Sequence, residues 1–166
     1  MKPIVALCQV FGLATVLCIA TACSTEPNEG DLSAQVKPAD FALVPCGVSE
    51  SEVPCAVVMA GGKRILMGAP AGIGSSVDDE TLRSLDAVML FSLRGPHVEG
   101  LDEVRNRSWL LGRDVPLKTV GPDGTKDVVE AINRAFEVSD AELFLEKRRA
   151  GGFQAPLLVS VATQPA

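Results

Sequence analysis

Ala56-Val-Val-Met-Ala-Gly-Gly-Lys-Arg-Ile-Leu-Met67 is the stretch on which the fold turns. Residues 56–60 and 64–67 read as two short apolar strands, and Gly61-Gly62 between them is a tight-hairpin signal. Working outward, residues 41–44 form an earlier strand. Downstream the period changes. Residues 78–85 read as a short helix and 87–91 as a continuous apolar run suited to a buried strand, while 98–110 have helical spacing. Residues 117–120 are the next strand. Thr125 then caps a helix to about Phe136, with Val128, Val129 and Ile132 on one face and Asp127 in its first turn. Two apolar runs follow at 143–145 and 156–161, and Gly151-Gly152 between them reads as a turn between strands. A hairpin followed by strand–helix alternation predicts an α/β sandwich.

The first residues carry a different message. Met1 and Lys2 precede an apolar run over 4–20, which ends in Ala20-Thr21-Ala22-Cys23. Charge, apolar run and small-residue end together read as a secretory signal over 1–22. The last four residues resemble a bacterial lipoprotein signal, which makes Cys23 an acylation site and the membrane a partner through its lipid anchor. Two other readings stay open: ordinary cleavage leaving Cys23 bare, or an uncleaved anchor. Residues 23–39 are polar, without apolar periodicity, and read as a tether to a domain over 40–166. Ser24 after Cys23 resembles exported lipoproteins facing the periplasm from the outer membrane.

Composition excludes several classes. The chain has a formal charge of −6, and because Lys2 is the one charged residue before Cys23, the part after the signal carries −7. That sign disfavours nucleic acid. Tyrosine is absent and tryptophan occurs once, so no stacking platform exists for bases or sugars. One histidine in the chain, His97, argues against a zinc site, which needs three or four converging ligands. No cofactor is expected. Cys46 and Cys55 remain in the folded part, where Pro45, Gly47 and Pro54 favour turns compatible with a disulfide; the alternative is that Cys55 is a small buried thiol.

Other patterns point to chemistry only weakly. Ser92 and His97 close to a strand end allow a nucleophile–base pair, but Ser92 lacks an elbow of the Gly-x-Ser-x-Gly kind. Arg94, Arg105, Arg107 and Arg113 allow an anion site, though a solvated, salt-bridged face is the commoner meaning of such spacing. Gly72-Ile-Gly74-Ser-Ser lacks the ending of a phosphate loop and reads as a flexible turn.

A family resemblance rests on five blocks in order. They are Ala60-Gly-Gly-Lys-Arg-Ile-Leu-Met67, Leu85-Asp-Ala-Val-Met-Leu90, His97-Val-Glu-Gly-Leu101, Asn106-Arg-Ser-Trp109 and Gly121-Pro-Asp-Gly-Thr125. This succession resembles metallo-β-lactamase-fold hydrolases of the ribonuclease Z-like branch. The resemblance implies an α/β fold, a half or partial αββα sandwich, and a metal-binding loop of the form Thr-His-x-His-x-Asp-His. Setting His97 on its last histidine puts Ser92, Arg94 and Pro96 on the other three ligand positions, none of which is then a good ligand. Arg94 would place a permanent positive charge where a cation should sit. Gly68 falls on an acidic position of the family. The expectation is therefore a membrane-tethered exported lipoprotein with no metal and no catalytic residues, acting as a binding or interaction protein. The alternative is a divergent hydrolase that works with another chain or with unusual residues.

Overall fold

The computed structural model describes residue 37, residues 40–48 and residues 53–162. The expected signal over 1–22, Cys23 and nearly all of the expected tether lie outside these residues. Among the described residues no helix is long and apolar enough to cross a membrane.

Six strands form one sheet in sequential order: β1 (Phe41–Pro45), β2 (Ala56–Ala60), β3 (Lys63–Met67), β4 (Ala87–Met89), β5 (Leu117–Val120) and β6 (Leu158–Ser160). β1, β2 and β3 are antiparallel neighbours, and β3 to β6 run parallel. Gly61 and Gly62 have φ of 57° and 75°, the pair of left-handed residues that a two-residue hairpin requires. The helices are α1 (Ile73–Ser76), α2 (Asp79–Arg83), α3 (Gly95–Val98), α4 (Leu101–Leu110) and α5 (Thr125–Lys147), with a short 3-10 turn at Gly152–Gln154.

All parallel steps move the same way across the sheet. Right-handed crossovers then put every connecting helix on one face. The core is accordingly one-sided: Val57, Met59, Leu66, Val88, Leu117 and Leu158 from alternate strand positions pack with Ile73, Leu82, Leu101, Val104 and Val129 from the helices. Burying each such side chain contributes about 1.5–3 kcal/mol.

Several sequence expectations need correction. The turn at 72–76 is a short helix, and residues 98–110 are two helices broken at Gly100. A Cβ on Gly100 would lie 2.0 Å from the Pro70 carbonyl oxygen, so this position holds glycine for close approach. Thr125 is the first residue of α5 instead of its cap; Gly124 holds the cap position, and the Thr125 hydroxyl donates to the Pro122 carbonyl at 2.6 Å. Residues 143–145 are not a strand but belong to α5, which runs 23 residues. Its end is fixed by Arg148 in the left-handed region (φ 44°) and by the Phe144 ring resting 4.1 Å from that of Phe153. Gly151-Gly152 therefore joins a helix to a 3-10 turn.

Candidate functional site

The C-terminal ends of parallel strands are where α/β folds gather their loops and ligand sites. Here the loop between β4 and α4 carries Ser92, Arg94, Pro96 and His97, and Gly68 leaves the neighbouring strand beside it. The Gly68 N–H donates to the Met89 carbonyl at 2.8 Å and the Leu90 N–H to the Val120 carbonyl at 2.8 Å, so three strand ends open side by side.

Within the loop, the Ser92 hydroxyl accepts from the Arg94 N–H at 3.1 Å, and the His97 N–H donates to the Arg94 carbonyl at 2.9 Å. Arg94 is exposed at the cap of α3, and Pro96 lies in that helix's first turn, where its missing N–H costs nothing. His97 is half-buried, and its Nδ1 is buried with no hydrogen-bond partner. No hydrogen bond joins the Ser92 hydroxyl to that imidazole among the described residues. The serine is committed to turning the loop.

A metal ion of the kind the family resemblance implies does not fit this donor set. Of the five positions, His97 alone offers a good ligand atom. Among the described residues no group of three or more His, Cys, Asp and Glu is placed to hold an ion. Gly68 makes the mismatch structural. Its φ is 85°, and a Cβ there would stand 2.7 Å from the Pro54 carbonyl oxygen. An acidic side chain at this position would have to displace a backbone segment that is itself tied down, because Cys46 and Cys55 form a disulfide with Cα atoms 5.4 Å apart. The Cys46 N–H also donates to the Cys55 carbonyl at 3.1 Å.

The four arginines do not converge on one anion site, although Arg105 and Arg113 are neighbours. Arg107 pairs with Asp79 on the surface at 2.8 Å, whereas Arg105 and Arg113 are buried, so the expected solvated face is wrong for those two. Arg105 reaches Asp140 through both terminal guanidinium nitrogens, one contact at 3.1 Å, and lies over the Phe136 ring. Arg113 donates to the carbonyls of Val115, Ala155 and Arg105 and to the Ser108 hydroxyl. Burial, with the nearby Arg105 charge adding to it, lowers the Arg113 pKa to about 10. A guanidinium there is still charged at neutral pH, and it holds the ends of three segments together.

Two further groups carry roles that sequence reasoning missed. The Glu103 carboxylate accepts from the N–H groups of Gly72 and Gly74 at 2.9 and 3.0 Å, which uses the donors a phosphate would need. Asn133 donates to the Leu158 carbonyl and accepts from the Leu158 N–H, holding β6 to α5. Both pairings span about thirty residues, and no local pattern signals them. A cleft of about 460 Å³ lies along α5 beside Asn133, Glu137 and Phe153, away from the strand-end loop.

Comparison with known proteins bears on this arrangement. No family model matches the chain. Ribonuclease Z of Mycobacterium marinum is 30% identical over 95 residues, covering 50% of this chain and 32% of that protein. Ribonuclease Z of Mycobacterium bovis BCG is 34% identical over 98 residues, covering 57% and 30%. The chain thus spans about a third of the length of the curated relatives it matches. Among solved structures, a metallo-β-lactamase fold protein of Bacillus subtilis, YhfI, superposes with a TM-score of 0.50 at 14% identity, covering 76% of this chain and 47% of that one.

Proposed function

For a chain of the metallo-β-lactamase fold whose sequence likeness lies with the ribonucleases Z, we propose a non-catalytic role: an exported lipoprotein, tethered through Cys23, that binds a partner on a hydrolase scaffold. The observation that carries this reading is the strand-end loop. Where the family gathers ligands, this chain offers Ser92, Arg94, Pro96 and His97, and the neighbouring acidic position is a glycine with no room for a side chain. Metallo-hydrolases generate hydroxide by lowering the pKa of metal-bound water. One imidazole cannot displace the waters that three or four protein ligands displace.

The test is metal retention. Purified protein exposed to zinc and then desalted is expected to hold well under one ion per chain, and chelators are expected to leave its melting temperature unchanged. Stoichiometric zinc that survives desalting, disappears in His97→Ala and accompanies hydrolysis of a phosphodiester or ester would establish the alternative, a divergent hydrolase.

A further inference from the structure

The sheet has two faces, and the core uses one. The strand positions that alternate with the core set contribute nothing to it, yet they are apolar: Leu43, Val58, Ile65, Met89, Val120 and Val159. Phe41 and Leu43 are 73% and 57% exposed, and Val159 and Val161 are 43% and 40% exposed. Cross-strand registry makes the patch continuous. One row runs Leu43, Val58, Ile65, Ala87, Lys118, Val159, and the next runs Pro45, Ala56, Met67, Met89, Val120. Parallel strands such as β3 to β6 occur almost always with both faces covered. A contiguous apolar patch of this kind marks an interaction surface.

We propose that this face docks a second copy of the chain, sheet against sheet. The area fits that occupant. Six strands of three to five residues, at about 4.8 Å between strands and about 3.3 Å per residue, make a face about 25 Å by 10–17 Å. Two such faces make about 500–850 Å² when taken as flat, and the relief of their side chains brings the buried area to about 1,000 Å², the lower bound of a specific interface. The charges fit as well. Lys63 stands at the margin and is paired with Asp86 at 2.8 Å, which leaves Lys118 as the charge inside the rows. A two-fold axis along the strands lays β5 of one copy over β2 of the other. Lys118 then meets Val58 and Ala60 instead of its own counterpart, with its stem on apolar surface and its ammonium at the rim. This pairing is independent of the metal question.

Sedimentation equilibrium of the purified full chain at micromolar concentration tests it. The expected mass is twice that of the chain weighed by mass spectrometry in the same preparation. Ile65→Asp is expected to weaken the dimer at least about tenfold, since a carboxylate would be buried without a partner. Val159→Asp, at the exposed edge strand, provides the same readout should Ile65→Asp fail to fold, as judged by circular dichroism. Val138→Asp, on a 73% exposed position of α5, should leave the dimer intact. A wild-type chain that sediments at single mass overturns the proposal, whether the face is then covered by the chain's own residues or by another protein. A dimer that survives Val159→Asp and Ile65→Asp but dissociates with Val138→Asp overturns it too.

Discussion

Gly68 shows how much one position can decide. Its left-handed backbone and the Pro54 carbonyl over it exclude any Cβ. Gly68→Ala is expected to cost about 1–3 kcal/mol, from the φ penalty and the close carbonyl together, and to lower the melting temperature by several degrees. Gly61→Asn makes a matched control: its φ of 57° is one asparagine tolerates, and no atom lies within 4 Å of a Cβ there. Equal losses for the two variants would show that backbone conformation alone accounts for the effect. His97→Ala belongs at the same scale. With its Nδ1 unpartnered, removing the imbalance of a buried, unsatisfied nitrogen offsets part of the lost packing, so the change in stability should stay within about 1 kcal/mol, read by urea denaturation.

Between elements, polar ties add to the apolar core. Breaking the Arg105–Asp140 pair by Asp140→Ala leaves a guanidinium that is 0% exposed without its counter-ion, and a loss of about 3–5 kcal/mol is expected. The double variant Arg105→Met, Asp140→Leu should recover much of it; failure to recover would mean that Arg105 matters mainly through Asn106, Asn133 and Phe136. Asp86 ties β3 to β4 by accepting from Lys63 Nζ and the Arg64 N–H at 2.8 and 2.9 Å. Burial pushes its carboxyl pKa up, but these hydrogen bonds and the charges of Lys63 and Lys118 outweigh that and hold it below the usual 3.8. A depressed carboxyl contributes stability that is present above its unfolded pKa and lost as pH falls through the lower folded value. The melting temperature should therefore drop as pH falls below about 4, and Asp86→Asn should be less stable at neutral pH with a shallower acid decline.

At the scale of the whole molecule, the disulfide closes a short loop against the sheet end, its two cysteines nine positions apart in sequence. Reduction is expected to cost about 2–3 kcal/mol in the chain-entropy account. Protein exported to its native compartment should resist alkylation at Cys46 and Cys55 until a reductant is added; full labelling beforehand would show that the bond does not form there. The proposed anchor predicts that Cys23→Ser abolishes lipid labelling and releases the protein from membranes. An intact mass that begins at Met1, or a free thiol at Cys23, would remove the lipoprotein reading.

Most of the strand positions, the hairpin at Gly61-Gly62 and the likeness to metallo-β-lactamase-fold hydrolases were legible in the chain itself, because they follow from local period, turn chemistry and the order of blocks. So was the poverty of metal ligands, since residue types do not depend on how the chain folds. Element ends were less legible: residues 143–145 satisfy a strand pattern and a helix pattern equally, and contact between Phe144 and Phe153 selects the helix. Tertiary structure alone decided which polar groups are spent on the fold. Arg105, Arg113, Glu103 and Asn133 look like solvent-facing residues in sequence, and they become internal ties only when partners 25 to 42 residues away arrive. The same holds for the open face of the sheet, since apolar alternation predicts a buried strand but cannot say on which side the helices will lie. That is set by the handedness of crossovers, a property of the folded chain and of no residue in it.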